Sequence, residues 1–536
     1  KWAFAVLLLF LVVSVASSLS NYRDKFSEGD RGTICLSCAV VITSLERYIL
    51  FKEPNIEKAI SKYCDLFGGK VASICRVFIA VEARPLLILL KNKQKPDAVC
   101  KALGFCRGYE HCQLHPVDGE TKFETAQLRK DPWWLPLIQP FLDALKNHVP
   151  LVDGDGDLFS TIDTFRGSAW RGKDCDDRSR DIYPGRKVQD RDPDVDSDCN
   201  GIKGTSPSGQ SYEDLYCSKT TRRGVAILGD SAGAHFRLPP QLLEPAYINA
   251  TIYSSVPRIA ELEADWPHLS WVTSFTEDKT GVTPGPSQSI YKKLKKRNRC
   301  NHRDYQNISV NGARSGTMKD ISKTLSRNQT QDHPMLLFYA LVGNDVCNGH
   351  PGDPGTPVDQ FRQNVEATLD HLDTILPKGS YVVFEGLAVG GKLYEILQNE
   401  THPLGAPYPM VYDFLTCVKR NPCYGWMNTN ETIRAKTTSH AEELSAVYQK
   451  IINEKSYNNF KMIYHDFPFE DVIPHVKTAW KEMIEPFDGF HPSQLLGSLT
   501  ADVIWDFLEK NHPDAIGEVN PYNDKIEELF GDQGGY

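Results

Sequence analysis

The pattern of hydrophobic positions divides the chain into a short helical region and a long region of alternating strands and helices. In the first region apolar residues recur at helical spacing, as at Val41, Leu45 and Tyr48, which indicates amphipathic helices. From Gly224 onward, short apolar runs are separated by longer segments: VAIL at 225–228, MLLFYALV at 335–342, YVVFEGL at 381–387 and KMIYHDF at 461–467. Runs of this length and spacing predict an α/β fold with a parallel sheet covered by helices.

Length and charge narrow the class of protein. A chain of 536 residues exceeds a single hydrophobic core, so we expect several domains. Hydrophobic residues make up 41% and aromatic residues 10% of the chain, as in a globular protein. The net charge of −9 argues against nucleic acid as a main partner.

The N-terminus has the pattern of a secretory signal peptide. Lys1 precedes an apolar run at 3–15, and small residues follow at 16–18, which predicts a signal peptide at 1–18. The run is shorter than the roughly 20 residues that span a bilayer; a buried helix is the alternative. Because the first residue is Lys, we expect the precursor to begin slightly upstream. Fourteen cysteines and several glycosylation sequons also favour export through an oxidising, glycosylating route. The candidate glycosylation sites are Asn249, Asn307, Asn328, Asn399 and Asn430.

A cysteine-rich segment follows the predicted signal. Its seven cysteines are Cys35, Cys38, Cys64, Cys75, Cys100, Cys106 and Cys112. A region this small, helical and rich in cysteine predicts a disulfide-stapled all-α bundle, although the sequence alone leaves the pairing open. Residues 31–112 resemble a saposin B-type domain, with a C-x-x-C start, a central pair and a closing pair. The resemblance implies the disulfides Cys35–Cys106, Cys38–Cys100 and Cys64–Cys75, and apolar helical faces that bind lipid or a membrane or micelle surface. The alternative is a stapled bundle with no lipid role. Cys112 lies outside the pattern and is expected to bridge to the long region of alternating strands and helices.

An aspartate-rich segment at 151–205 follows a polar connector at 113–150, where we expect proteolytic processing. DGDGD at 153–157 starts like an EF-hand calcium loop, but Thr164 stands where that loop has glutamate. So many carboxylates repel one another unless a cation neutralises them, and oxygen ligands favour structural Ca²⁺, with more than one ion. A solvated acidic linker is the alternative, and Cys175 and Cys199 are expected to form a local disulfide. The candidate ligands are Asp153, Asp155, Asp157, Phe159, Asp174, Asp176, Asp177, Asp181, Asp192, Asp194, Asp196, Asp198 and Asn200.

Three short motifs carry candidate catalytic chemistry. Strand 225–228 runs into GDSAG, where Ser231 can project from a sharp turn into a helix N-terminus whose N–H groups stabilise an oxyanion. In DGFH, Asp488 lies three residues before His491 and can hold the imidazole as a general base. Asn344, after the strand at 335–342, can aim its amide at the oxyanion.

These motifs resemble the SGNH/GDSL hydrolase family, whose four blocks occur here in family order, with the strand-like run at 308–313 as the second block. The resemblance implies a flavodoxin-like esterase domain at 222–515, followed by a C-terminal tail at 516–536. It also implies Ser231 as nucleophile, Asp488 and His491 as its base, and oxyanion donors from Ser231, Gly312 and Asn344. Ala232 departs from the family, which usually has leucine there.

One other interpretation of the serine motif stays open, and a nearby histidine also calls for an assignment. An α/β-hydrolase shares the G-x-S-x-G pattern, although the local Asp488–His491 pair favours the SGNH interpretation, because the acid of an α/β-hydrolase normally lies on another loop. His235, four residues after the serine, is interpreted as a packing or substrate-side histidine.

The combination of a saposin-like module, an aspartate-rich segment and an SGNH esterase in one exported chain resembles the acyloxyacyl hydrolase family over nearly its whole length. The resemblance implies release of secondary fatty acyl chains from the lipid A part of bacterial lipopolysaccharide through an acyl-enzyme. It also implies cleavage into small and large disulfide-linked subunits, and residence in secretory or lysosomal compartments. A phospholipase or general acylesterase on membrane lipids and a non-catalytic lipid carrier are the alternatives.

Overall fold

The computed structural model describes residues 28–66, 86, 89–114, 147–188, 193–244, 248, 250–347, 351, 355–468, 472 and 480–536. The predicted signal peptide and most of the predicted connector lie outside these residues, as do Cys75, Asp192 and Asn249.

Five parallel strands form the sheet of the large domain. They are β1 (Gly224–Gly229), β2 (Tyr305–Asn307), β3 (Met335–Ala340), β4 (Ser380–Glu385) and β5 (Phe460–His465), in the order β2-β1-β3-β4-β5. The four apolar runs of the sequence became β1, β3, β4 and β5, while β2 lies just before the strand-like run at 308–313. This is the flavodoxin-like order, which places a functional crevice at the carboxyl ends of the strands beside β1, where the strand order reverses. The predicted fold class is confirmed.

Helices flank this sheet and form the N-terminal module. In chain order, the α-helices with described bounds are α1 (Glu28–Phe51), α2 (Ile56–Asp65), α3 (Pro96–Ala102), α4 (Tyr212–Tyr216), α5 (Ser231–Ala234), α6 (Ala250–Ser254), α7 (Val256–Glu261), α8 (Ile290–Arg297), α9 (Ser315–Ser322), α10 (Val358–Ile375), α11 (Leu393–Leu397), α12 (Tyr408–Cys417), α13 (Glu431–Glu454), α14 (Gln494–Asn511), α15 (Pro513–Ile516) and α16 (Asn523–Phe530). Successive strand residues point to opposite faces. In β1, Ala226 and Leu228 therefore pack with α9, α10 and α13, whereas Val225 and Ile227 pack with α8 and α14.

The N-terminal module is helical and stapled, as the sequence predicts. The disulfides Cys35–Cys106 and Cys38–Cys100 tie α1 to the region of α3, which confirms two of the pairings that the saposin resemblance implies. Cys64 is also disulfide-bonded, but its predicted partner lies outside the described residues. By length and apolar composition, residues 31–51 of α1 could cross a membrane. About half of this stretch is buried, and two disulfides hold it, so it packs as a core helix.

One continuous apolar core joins the module to the large domain. It contains Leu45 and Tyr48 of α1 together with Val411 and Phe414 of α12. The disulfide Cys112–Cys417 links the two units covalently, which confirms the bridge expected from Cys112. The local disulfide Cys175–Cys199 is also present.

The C-terminal segment, which the sequence predicts to be a tail, packs against the large domain. The ring of Phe530 packs edge-on against Tyr212, and the ring of Tyr536 stacks on Phe275. Burial of these aromatic rings fixes the segment in place.

One predicted glycosylation site is wrong. Asn307 lies in β2, its side chain is 1% exposed, and its amide donates to the Gly233 carbonyl at 2.9 Å. A glycan has no room there. Asn328, Asn399 and Asn430 are exposed, so glycosylation of these three sites stays a prediction.

Candidate active site

The candidate nucleophile stands where β1 turns into α5. Asp230 caps this short helix: one carboxylate oxygen accepts from the Ala232 N–H at 3.0 Å, and the other accepts from the Val342 N–H after β3 at 2.9 Å. Asp230 therefore ties the turn of Ser231 to the neighbouring loop. Burial raises the pKa of Asp230 to about 6, against the lowering effect of these hydrogen bonds. The GDSAG motif by itself does not indicate this role of Asp230, because the partner N–H of Val342 follows a distant strand.

Ser231, His491 and Asp488 form a continuous hydrogen-bonded triad. The Ser231 Oγ lies 2.7 Å from His491 Nε2, and His491 Nδ1 lies 2.6 Å from Asp488 Oδ2. All three side chains are nearly buried, being 7–9% exposed. The fold thus brings together residues that are 260 positions apart, in the geometry by which histidine takes a proton from serine.

The charges of the pair stabilise each other. Burial alone would lower the pKa of His491, but the Asp488 carboxylate raises it above the ordinary histidine value. Burial would likewise raise the pKa of Asp488, but the charge and hydrogen bond of His491 and two backbone N–H groups lower it below the ordinary value. Asp488 therefore stays ionised and holds the ring for proton transfer.

The two other predicted oxyanion donors have different positions. Asn344 lines the same cavity as Ser231 and His491, and its loop is anchored because Asp345 accepts from the Ser315 N–H and hydroxyl at 2.9 and 2.6 Å. Gly312 lies in an exposed turn with φ of +74°. This turn follows the backbone hydrogen bond from Val310 to Gly229 at 3.1 Å, at the same edge of the sheet. Gly312 does not line the cavity, and its role stays a prediction.

The cavity beside the triad has a mainly apolar wall. Its apolar side chains are Val342, Ala388, Val389, Leu393, Trp426, Phe467, Met483, Ile484, Phe490, Pro492 and Leu496. Such a lining suits a fatty acyl chain. These residues come from many separate segments, so no local sequence signal could have identified them.

His235 takes no part in this triad. It caps α5 in the left-handed conformation, with φ of +61°, and is 2% exposed. Burial lowers its pKa to about 3, so the ring is neutral. It packs inside the domain, in agreement with its interpretation as a packing histidine.

Two groups of carboxylates in the aspartate-rich segment could hold a cation. Oxygens of Asp153, Asp155 and Asp177 lie within 4.8 Å of one another, as do oxygens of Asp155, Asp157 and Asp174. The Oδ2 atoms of Asp155, Asp157 and Asp174 are buried and have no hydrogen-bond partner among the described residues. Burial raises the pKa of Asp157 to about 8 and that of Asp174 to about 6. These oxygens fit a hard cation such as Ca²⁺.

Most of the other predicted ligands make other contacts. Asp176 pairs with Arg178 and Asp181 with Arg186, Asp194 is exposed, and Phe159 is buried beside Asp157. Asp198 and Asn200 form a separate buried group with Glu213 and Arg222, and the half-buried Asp196 accepts from the Asn200 N–H. Glu213 and Arg222 could not be predicted from the aspartate-rich pattern, because each lies beyond that segment. Metal binding by these residues stays a prediction.

Comparison with known proteins agrees with this geometry. The profile of the family described as GDSL-like Lipase/Acylhydrolase matches residues 225–504, just over half of the chain. Acyloxyacyl hydrolase of Oryctolagus cuniculus is 37% identical, over 100% of this chain and 99% of its own length. The Mus musculus enzyme of the same name is 37% identical over 99% and 98%, and the Homo sapiens enzyme is 36% identical over 98% and 98%.

The similarity covers both the stapled module and the triad domain, so the resemblance is to the whole architecture. A Ser–His–Asp triad beside an apolar cavity is the active-site arrangement of a serine ester hydrolase. The chain therefore belongs to the acyloxyacyl hydrolase family of GDSL-like serine esterases.

Proposed function

We propose that this esterase releases secondary, acyloxyacyl-linked fatty acyl chains from the lipid A part of bacterial lipopolysaccharide. The observation that carries the proposal is the opening of the Ser231–His491–Asp488 triad onto an apolar cavity. The printed name of the relatives supports the type of bond.

The chemistry follows from the contacts of the triad. Ser231 attacks the ester carbonyl while His491 takes its proton, and Asp488 stabilises the imidazolium. The Ser231 N–H and the Asn344 amide hold the oxyanion, with Gly312 as the third donor in the proposal. The alcohol leaves with the proton from His491, and water then hydrolyses the acyl-enzyme.

The test compares fatty acid release from lipopolysaccharide and from phospholipid vesicles, for wild type and Ser231→Ala. We expect wild type to release acyl chains from lipopolysaccharide, and Ser231→Ala to release none. Preferential release from phospholipid would contradict the substrate and support a phospholipase. A wild-type protein that fluorophosphonate does not label at Ser231 would instead support the lipid carrier.

We further propose that the saposin-like module contacts a lipid surface. Leu50 and Phe51, at the end of α1, are each 66% exposed, and large apolar side chains at one exposed helix end favour insertion among acyl chains. The variant Leu50→Ser/Phe51→Ser should bind lipopolysaccharide micelles more weakly, while hydrolysis of soluble p-nitrophenyl butyrate stays within about twofold of wild type. Unchanged micelle binding would refute this contact.

We propose that the chain is exported to secretory or lysosomal compartments and cut in the connector. The support is the apolar N-terminal run and the Cys112–Cys417 disulfide, which would join a small and a large subunit on either side of the cut. Protein purified from a secreting cell should run as one band without reductant and as two bands with it. Two bands without reductant would contradict the linkage.

We also propose that Ca²⁺ binds Asp153, Asp155, Asp157, Asp174 and Asp177 and supports the fold. The buried oxygens that have no hydrogen-bond partner in the described part of the chain support this, because a bound cation would stabilise their ionised forms. At about a hundredfold excess of Ca²⁺ over its Kd, binding adds about 2.7 kcal/mol to stability. A chelator should therefore lower Tm by several degrees, and Asp157→Asn should abolish that response. Asp502→Asn, which changes a surface carboxylate of α14, should retain it. An unchanged wild-type Tm with chelator would refute the proposal.

A further inference from the structure

Side chains of a neighbouring segment, residues 402–412, donate hydrogen bonds to the main chain of the loop that carries the catalytic Asp488 and His491. Three main-chain carbonyls around Asp488 accept hydrogen bonds: Pro486 from the Tyr408 hydroxyl at 2.6 Å, Phe487 from His402 Nε2 at 2.6 Å and Gly489 from the Tyr412 hydroxyl at 3.1 Å. Each carbonyl lies within two residues of the carboxylate that orients His491. The three donors therefore fix the loop on both sides of Asp488.

The protonation state of His402 suits a permanent donor. Its Nδ1 accepts from the Leu404 N–H at 2.9 Å, so the ring proton sits on Nε2 and points at the Phe487 carbonyl. Burial lowers the pKa of His402 to about 4. The ring is thus neutral at physiological pH, and the donor does not switch.

Close packing at Gly489 restricts movement of the loop relative to the Tyr408 and Tyr412 side chains. Gly489 has φ of +65°, and a Cβ there would lie 2.6 Å from the Tyr412 hydroxyl and 2.8 Å from the Tyr408 ring. Only glycine allows the loop to approach the two rings this closely. A displacement of either ring would therefore change the position of the main chain next to Asp488.

The other side of the same segment rests on the saposin-like module. Leu404, Ala406 and Val411 of the segment join the core of that module, as do Phe414 and Leu415 later in α12. Cys417, the last residue of α12, is bonded to Cys112. Beyond α12, Arg420 Nε donates to the Thr33 hydroxyl of α1 at 2.5 Å. The segment is thus held between the module and the catalytic loop.

We infer that His402, Tyr408 and Tyr412 are positioning residues for the Asp488–His491 pair, and that the saposin-like module supports the catalytic loop through them. The inference rests on the esterase activity of this triad and not on the identity of the lipid. A shift of about 1 Å in a catalytic group costs on the order of a hundredfold in rate. The module therefore serves the chemical step as well as any contact with lipid.

The test uses Tyr408→Phe, Tyr412→Phe and the double variant in the full-length protein. The probes are p-nitrophenyl butyrate hydrolysis and the rate of fluorophosphonate labelling at Ser231. We expect kcat and the labelling rate to fall about tenfold for each single variant and about a hundredfold for the double variant, with KM within about threefold of wild type.

The pH profile separates positioning from a general loss of structure. A looser contact with Asp488 lets the pKa of His491 fall toward its ordinary value, so the acidic limb of kcat/KM moves to lower pH. A purely structural defect lowers the amplitude and leaves the limb in place. Unshifted limbs, or rates within twofold of wild type in the double variant, would overturn the inference.

Two controls complete the experiment. Tyr448→Phe removes a buried hydroxyl that has no hydrogen-bond partner among the described residues, and it should leave the kinetics unchanged. His402→Gln keeps an N–H donor near the Phe487 carbonyl and should retain more activity than His402→Phe; equal losses would count against the donor role. Labelling of wild type at Ser231 establishes the esterase separately, so its failure is distinguishable from failure of the inference.

Discussion

The substitution Asp488→Asn tests the triad with the smallest change of shape. In the wild type, Asp488 Oδ1 accepts from the Phe490 and His491 N–H groups at 2.8 and 3.0 Å, while Oδ2 faces His491 Nδ1 at 2.6 Å. The asparagine oxygen will keep the two N–H bonds, so its NH₂ group must face Nδ1. His491 must then carry its proton on Nε2, toward Ser231, and cannot act as the base.

The size of the effect follows from this change of tautomer. Loss of the charge-assisted hydrogen bond alone is worth about 1.5–3 kcal/mol. With the wrong tautomer added, we expect kcat to fall by about 10³–10⁴, equivalent to about 4–5.5 kcal/mol of transition-state stabilisation. KM should stay within about threefold of wild type, because Asp488 does not line the cavity. The contacts that bind the substrate and the transition state equally are therefore unchanged.

The assay is steady-state hydrolysis of p-nitrophenyl butyrate at neutral pH, with Tm as a check on folding. Asp502→Asn is the matched control, since this carboxylate of α14 is 46% exposed and pairs with Lys293 on the surface. It should change kcat by less than about twofold. If Asp488→Asn keeps more than a tenth of wild-type kcat, Asp488 does not orient His491, and the assignment of the base is wrong.

Three further outcomes test separate parts of the structure. Because Asp488 raises the pKa of His491 and the base must be neutral, wild-type kcat/KM should fall as pH drops through a value above 6.5; a limb below that value would contradict the buried ion pair. Ala388→Leu narrows the apolar cavity and should raise KM for p-nitrophenyl palmitate about tenfold while sparing the butyrate ester; equal effects on both esters would place the acyl chain elsewhere. Enzymatic deglycosylation in H₂¹⁸O should label exposed Asn328, Asn399 or Asn430 and never buried Asn307; label at Asn307 would contradict its place in β2.

Local pattern determined much of this protein. Contiguous apolar runs predicted β1, β3, β4 and β5, because a strand of a covered parallel sheet must be apolar on both faces. The spacing of Asp488 and His491 predicted their contact, since a carboxylate three residues before a histidine can reach its ring when the chain turns between them. Family resemblance, carried by cysteine spacing, supplied the pairings Cys35–Cys106 and Cys38–Cys100.

The tertiary structure decided every relation between distant segments. It placed Ser231 within 2.7 Å of His491, chose Cys417 as the partner of Cys112 and buried the sequon at Asn307. It also brought His402, Tyr408 and Tyr412 within hydrogen-bonding distance of the main chain of the catalytic loop. The local sequence pattern around these residues indicates none of these contacts, because packing between remote segments depends on the shapes of whole surfaces. Strands, turns and short motifs, in contrast, depend on the few residues that form them.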